Sequence, residues 1–306
     1  MRLDNMDPFE MRPSCIGDME SLKKLWIECF ADAPEYAHYI FTKLIKPAHA
    51  LVCAHGMEIP AMLFFEPFTL KAGGDFYSGA YIYGVATAVK YRGMGLSTRL
   101  LAFAHEYLSK SGYALSILVP AGEGLFEFYR KRGYSVFSDL CKVKIGGAEI
   151  ANMPDTDMKI KISLARLENL YDIRENYFGD SCGFVCWSRE YLEYIGGECT
   201  HFGGEVLRIE YAAGIGYAVC YRDKNKITHI KEMVLPDENR FFIQALKMIH
   251  QRYGAVEYNL SLRANFQTMF TQSLLPYSMI KWYDDSGNIL SGSILRAYAY
   301  IGFVLD

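Results

Sequence analysis

Apolar residues along the first half of the chain recur with two alternating periods. Leu22, Leu25, Trp26, Cys29 and Phe30 stand at helical spacing behind Asp18, a capping residue type, and predict an amphipathic helix. A second helix is predicted over 35–46, ended by Pro47. Strands are predicted near 50–54 and 59–66, and again over 79–88 in GAYIYGVATA. The glycine-bearing stretch YRGMGLS (91–97) then opens straight into a helix with Leu96, Leu100, Ala104 and Leu108 at steps of four. YALSILV (113–119) reads as a strand. GEGLFEFYRKRG (122–133) reads as a short helix with Leu125, Phe128 and Tyr129 on one face and Gly133 at its C-terminal end, and YSVFS as a strand after it.

Periodicity is lost over 145–159, IGGAEIANMPDTDMK, which places a boundary between domains at 1–148 and 158–306. Beyond it Ser163 is expected to cap a helix that turns Leu167, Leu170, Tyr171, Tyr177 and Phe178 inward. Strands are predicted near 204–212, 215–222 and 227–235, then a helix over 238–253 burying Phe242, Ala245, Leu246 and Ile249, then the strand AVEYNLSL. Strand, helix, strand over 227–262 repeats the element order of 79–119 without repeating its residues.

Composition narrows the function. A chain of 306 residues has room for two domains of about 150 each. The net charge of −3 gives no global field for nucleic acid, and no apolar run of about 18 residues predicts a membrane span. The opening MRLDNMDPFEMRPSC has no apolar signal core, so a cytoplasmic protein is expected. The eight cysteines, at 15, 29, 53, 141, 182, 186, 199 and 220, are irregularly spaced and read as reduced thiols, most of them buried. The 23 tyrosines suit either an aromatic cleft or half-buried strands.

The turn at 92–95 carries candidate chemistry. A helix start offers unpaired N–H groups and the positive end of a dipole, which suit an anion. Gly93 and Gly95 remove the Cβ atoms that would hold a pyrophosphate away, and Arg92 and Lys90 add charge. No Gly-Lys-Ser/Thr follows, so this is not a Walker loop. Thr98 stands where a dinucleotide fingerprint needs its third glycine. On the residues alone, a phosphate-bearing ligand and a plain tight turn both stay open.

Tyr91-Arg92-Gly93-Met94-Gly95-Leu96-Ser97, after a strand and opening a helix, resembles the Arg/Gln-x-x-Gly-x-Gly/Ala signature of the GNAT acetyltransferases. FEFYRKRGY resembles that superfamily's second signature, and MRPSCIGDMESLKKLW its first strand and helix. GVAT before the arginine and the tandem layout look most like the enhanced-intracellular-survival acetyltransferases. The resemblance covers about 11–140; from 158 on it is one of layout. It implies a mixed-sheet α/β fold, with two such domains in tandem and the second degenerate. It further implies transfer of an acetyl group from acetyl-CoA to a primary amine of a small molecule or peptide by direct attack. Backbone groups of Val85, Ala86 and Thr87 would then hold the pantetheine arm, and Arg92, Gly93, Met94, Gly95, Leu96 and Ser97 the pyrophosphate. Tyr129 would protonate the departing thiolate, although its place beside Leu125 and Phe128 also fits a core residue.

The departures from that pattern are specific. The survival proteins carry a third, sterol-carrier-like domain for which 306 residues leave no room. Their C-terminal carboxylate takes the amine proton; here the tail AYAYIGFVLD ends in Asp306, which could do so or could follow an edge strand. No carboxylate lies on the 79–88 strand, so a water-relayed base at Glu123 or Glu66 is the alternative. The second half reads VLPDENRF at the corresponding turn, where Pro236 removes a donor and Asp237 and Glu238 repel a pyrophosphate. That half is expected to wall a substrate cleft instead. The competing function is a non-catalytic acyl-CoA-binding regulator, and a homo-oligomer is compatible with either.

Two further patterns are set aside. GDSCG (179–183) matches a nucleophile elbow but is preceded by a predicted helix rather than a strand. Cys182, Cys186, Cys199 and His201 could be drawn as zinc ligands, but Cys-x-His is tight for a closed structural site, so no metal is expected.

Overall fold

In the computed structural model, which describes residues 7–30, 32–154, 158–178, 183–212, 214–284, 299–302 and 304, the helices and strands gather into two compact units. The first comprises Met1–Phe68, Tyr77–Ser135 and Met279–Ile289; the second comprises Thr69–Phe76, Val136–Ser278 and Leu290–Asp306. The units therefore do not follow chain order.

The first unit contains β1 (Glu10–Pro13), α1 (Met19–Phe30), α2 (Pro34–Lys43), β2 (Ala50–His55), β3 (Glu58–Ala72) up to Phe68, β4 (Asp75–Thr87) from Tyr77, α3 (Leu96–Lys110), β5 (Leu115–Leu118) and α4 (Glu123–Arg130). The strands stand in that order, with β4 and β5 parallel and Met279–Trp282 antiparallel on β5. Both sheet faces are covered. Leu51, Leu63 and Ile82 meet Leu100, Ala104 and Leu108 of α3, while Phe64 faces Trp26 of α1 at 5.7 Å between ring centroids. Strands buried on both faces lose their polar alternation, which is why these read as continuous apolar runs. Asp18 does not stand as the α1 N-cap. Its carboxylate accepts the Cys15 N–H at 2.8 Å and both terminal nitrogens of Arg12, and that pair lowers it to about 2.

Behind β5, His105 Nε2 and Ser116 Oγ lie 3.1 and 2.8 Å from the Tyr134 hydroxyl. Burial, helped by Lys281, lowers His105 from 6.5 to about 4. The folded protein thus holds this imidazole neutral where the unfolded chain would charge it. That stability is whole above pH 6.5 and drains away as the pH falls toward 4. Unfolding free energy is expected to drop by about 1 kcal/mol between pH 7 and pH 5.5 through this group. Urea titrations of wild type and His105→Gln at both pH values test it, the variant losing that part of the slope.

The second unit contains β6 (Ser135–Gly146), α5 (Gly147–Ala151), β7 (Lys161–Leu164), α6 (Leu170–Phe178), β8 (Phe184–Cys186), α7 (Arg189–His201), β9 (Glu205–Tyr211), β10 (Gly214–Arg222), β11 (Ile227–Val234), α8 (Glu238–Tyr253), β12 (Glu257–Arg263) and β13 (Gln272–Trp282), whose first seven residues it holds. Its strand order is β13-β6-β12-β11-β10-β9-β7. Val143, Ile209, Ile230 and Leu260 bury against Phe242, Leu246 and Ile249 of α8. β11, α8 and the parallel β12 form the strand–helix–strand run foreseen over 227–262. Ser163 lies within β7 instead of capping a helix, because 161–164 pairs with β9 and the helix starts only at Leu170.

On the other side of β10 and β11 lies a fully buried ion pair. Arg174 of α6 donates to Glu232 of β11, whose oxygens also accept the hydroxyls of Tyr217 (2.6 Å) and Tyr300 (2.8 Å). Tyr300 is held by backbone bonds to Gly183 and Val185, and Trp187 donates to the Ile301 carbonyl at 2.8 Å. Tyr217, Tyr258 and Tyr300 are thus core residues that spend their hydroxyls internally. No helix of the described residues is long and apolar enough to cross a membrane.

Candidate functional site

β4 outruns its neighbour. Gly79, Ala80 and Tyr81 pair with Leu115, Ser116 and Ile117, β5 ends at Leu118, and β4 continues to Thr87. Within that overhang Gly84 has φ +59°, a conformation that suits glycine. A Cβ there would also sit 2.7 Å from the Phe64 ring and 2.8 Å from Trp26. A lone glycine inside a strand pattern is the signal for such a bend, and reading 79–88 as a plain strand missed it.

Past Thr87 the chain makes one 3-10 turn, Val89–Tyr91, and enters the glycine turn. Gly93 and Gly95 have φ of +82° and +74°, and Gly95 is the N-cap of α3. No protein atom lies within 4 Å of a Cβ built at either, so backbone handedness, not crowding, requires glycine here. Arg99 N–H bonds the Gly95 carbonyl, leaving the N–H groups of Leu96, Ser97 and Thr98 without an intrahelical acceptor. Replacing Gly95 by alanine is expected to lower the unfolding free energy by about 1–2 kcal/mol, the left-handed penalty alone. Urea denaturation reads it, and a change within error would refute the left-handed cap.

A cavity of about 290 Å³ lies beside this turn, lined by residues that include Val85, Ala86, Thr87, Arg92, Ser97 and Tyr129. Six of the residues singled out from the sequence thus line one cavity. Gly93, exposed Met94 and Gly95 form the turn next to it, while Leu96 turns its side chain into the core. Asp306 lies outside the described residues. Glu66 is buried 3.6 Å from His49 and Glu123 is exposed at the start of α4; neither lines the cavity.

The remaining lining comes from Cys29, Phe30, Leu125 and Phe128. Cys29 and Phe30 end the apolar stripe of α1, whose buried members are Leu22, Leu25 and Trp26, and it is this last turn that lines the cavity. Burial pushes the Cys29 thiol up, against a pull from Arg92, so it stays a thiol rather than a nucleophilic thiolate. Arg92 donates to the Thr87 carbonyl at 3.2 Å. Lys90 is ion-paired with Glu58 at 2.7 Å, which spends the charge expected of it at the turn. Arg132 was not foreseen. It donates to Thr98 in the first turn of α3 and lies 3.4 Å over the Phe128 ring, so it brings a cation to the helix start that Lys90 does not.

Tyr129 is 7% exposed and packs edge-on against Phe128 (5.1 Å) and Tyr134 (5.8 Å). No side chain among the described residues hydrogen-bonds its hydroxyl. Burial raises the phenol to about 12, with Arg132 pulling the other way. It stays protonated throughout the neutral range, and the site therefore offers a phenolic O–H next to unpaired backbone donors and an apolar wall.

In the region of the set-aside zinc pattern, Cys199 is buried and directed at the Cys220 carbonyl (3.8 Å), while Ser181 and Cys182 lie outside the described residues. Among the described residues no group of three or more His, Cys, Asp or Glu side chains is placed to hold a metal.

Residues 10–137 match the model of an acetyltransferase (GNAT) domain. No curated protein matches the chain in sequence. Among solved structures, the chain is similar to a probable N-acyltransferase of Enterococcus faecalis V583, at 19% identity over 90% of this chain and 73% of that one, with a TM-score of 0.77. A GCN5-related N-acetyltransferase of Anabaena variabilis aligns at 15% identity over 90% and 73%, TM-score 0.74. Eis1 of Mycobacterium abscessus aligns at 13% over 90% and 74%, TM-score 0.71. At such identities the likeness is one of fold.

Proposed function

With an acetyltransferase domain over residues 10–137 as premise, we propose that this chain moves an acetyl group from acetyl-CoA to a primary amine of a small molecule or peptide. The observation that carries the reading is the coincidence, in one cavity, of a strand overhang, a left-handed glycine turn at a helix start and a protonated phenol. The residues fit the co-substrate part by part. Free N–H groups of α3, with Arg92 and Arg132 nearby, suit a pyrophosphate. The overhanging backbone at Val85 and Ala86 suits an amide-bearing arm laid alongside, since such arms pair like an added strand. Phe30, Leu125 and Phe128 supply its apolar wall.

In the reaction the amine lone pair attacks the thioester carbonyl, the C–N bond forms, the C–S bond breaks, and one ammonium proton is lost. Tyr129 acts as general acid toward the departing sulfur. An ordinary thiol titrates near 8.5, so full proton transfer from a phenol at about 12 is uphill by about 3.5 in pKa. Its contribution is then a hydrogen bond to charge developing on sulfur. Asp306 is kept as the acceptor of the amine proton.

We read the second unit as a degenerate copy. Its β11–α8–β12 run also has a left-handed N-cap, Asp237 at φ +57°, preceded by Pro236. A carboxylate there repels the anion that Gly95 admits.

Calorimetric titration of acetyl-CoA tests the reading. One site per chain at a micromolar dissociation constant, about −8 kcal/mol, supports it. A second site that persists when the 92–97 turn is disabled would overturn the silent second unit. No binding would overturn acetyl transfer.

A further inference from the structure

A cavity of about 710 Å³ lies within the second unit, and acetyl transfer does not use it. One face of α6 lines it, together with the start of β10 and the turn Pro236-Asp237 that joins β11 to α8. β11 and β12 run parallel with α8 between them, and in such sheets ligands seat in the crevice beyond the carboxyl ends of the strands. The cavity of the first unit occupies the matching place, at the end of β4 and the start of α3. The second unit therefore keeps an opening there, more than twice as large, with different chemistry.

The difference centres on Asp237. Its backbone is left-handed, φ +57°, a conformation strained for a residue with a Cβ. Gly95 holds the same N-cap position in the first unit at φ +74°, so the turn itself does not call for an acid. The helix does not call for it either. The Asp237 carboxylate makes no capping hydrogen bond to α8, and Glu238 beside it in sequence already supplies the negative charge that a helix start favours. The carboxylate is exposed at the cavity and has no ion-pair partner among the described residues. Strain kept at a position where glycine would relieve it marks a side chain retained for what it binds.

The rest of the lining fits one kind of ligand. Asn169, Asp172, Ile173 and Asn176 recur at helical spacing and bring polar groups to the cavity from one helix face. The side-chain amides of Asn169 and Asn176 form no hydrogen bond among the described residues, so their carbonyl oxygens are available as acceptors. Asp172 is paired with Arg189 at 2.5 Å and keeps further lone pairs. Arg208 is the one cation among the described lining residues, and Glu210 meets its charge at 2.5 Å. With those two pairs closed, the charge left over is that of Asp237. Against these acceptors stand the aliphatic surfaces of Ile173, Ile215 and Pro236, with Ile215 still 37% exposed. We propose that this cavity binds a small aliphatic amine with one or two ammonium groups. Asp237 takes an ammonium, Ile173, Ile215 and Pro236 cover the carbon chain, and Asn169, Asn176 and Asp172 accept the remaining N–H groups. The volume suits such a molecule.

This site is independent of acetyl transfer, and its test keeps the two apart. Cadaverine, and pentanediol as its uncharged twin, are titrated calorimetrically at low salt into the full chain, Asp237→Asn, Asp237→Gly and Arg92→Gln. Thermal unfolding of each variant monitors the fold. Asparagine tolerates left-handed backbone, so Asp237→Asn removes the charge alone. Cadaverine is expected to bind wild type and Arg92→Gln alike, and both Asp237 variants at least about tenfold more weakly, the worth of one charge-assisted hydrogen bond. Pentanediol is expected to bind wild type at least about tenfold more weakly than cadaverine does. Asp237→Gly is expected to unfold no lower than wild type because the strain is relieved, so weakened binding there is not a loss of fold. Four results would overturn the proposal. They are no binding of cadaverine to wild type, equal binding to Asp237→Asn, loss only in Arg92→Gln, or pentanediol binding as tightly as cadaverine, which would make the cavity a site for neutral polyols.

Discussion

Glu232→Ala is expected to cost about 3–5 kcal/mol of folding stability, the largest effect of any single substitution argued from this structure. The carboxylate it removes is the counter-charge of Arg174, which is 1% exposed and has the Phe178 and Phe184 rings at 5.4 and 4.9 Å. Burial by itself pushes that guanidinium's pKa down; Glu232, Tyr217 and Tyr300 more than reverse it, and the net shift is upward. Without Glu232 the cation has two phenols and two ring faces for company, and its Nη2 already lacks a hydrogen-bond partner among the described residues. Uncompensated buried charge, not the loss of one good contact, sets the size of the effect. The companion variants separate those causes. Tyr300→Phe removes a single hydrogen bond and is expected to cost about 1 kcal/mol. Arg174→Met with Glu232→Leu removes both charges and is expected to recover most of the loss, since apolar replacement of a buried pair is often neutral. Urea unfolding of the three variants decides it. If Glu232→Ala costs under about 1 kcal/mol, water or another group reaches Arg174 and the buried-pair account is wrong.

Tyr129→Phe is expected to lower kcat about 100-fold at saturating acetyl-CoA, or about 2.7 kcal/mol of barrier, and to leave acetyl-CoA affinity within twofold. The ring stays, so its packing against Phe128 and Tyr134 stays; the O–H toward the cavity goes. The pH profile carries a second reading. A phenol raised to about 12 keeps its proton below about pH 11, so Tyr129 itself contributes no alkaline fall at pH 8–9. Any such limb belongs to another group and must survive in Tyr129→Phe. Equal kcat in variant and wild type would return Tyr129 to the core role that its place on α4 also fits.

What could be read from the sequence follows from which signals are local. α3 and α8 were legible because Leu96, Leu100 and Ala104, and Phe242, Leu246 and Ile249, repeat at helical steps that tertiary packing then uses. The glycine turn was legible because left-handed backbone leaves a compositional mark. β7 was not. Ser163 is a good capping residue, but pairing with β9 is a long-range contact that capping propensity cannot see. α7 and β13 went unassigned, the first carrying Gly196 and Gly197 in its middle and the second an exposed first half. At the site, Cys29 and Phe30 continue an apolar stripe past the point where the core ends, and nothing in the spacing marks that point. Arg132 sits in a basic run, YRKR, whose members differ only in which neighbour they reach.

The overhang of β4 beyond β5 makes residues 82–87 a strand edge inside the fold. Exposed edges are where chains aggregate, and proteins ordinarily blunt them with charge or proline. This one carries Ile82, Val85 and Ala86 and neither device before Lys90. Its protection is access: α1 and α4 contribute walls of the cavity beside it and stand between this edge and another chain. Loosening either helix would therefore do more than weaken a binding site. It would expose a hydrophobic edge ready to pair with another chain, so variants that fray α1 or α4 should precipitate before they unfold.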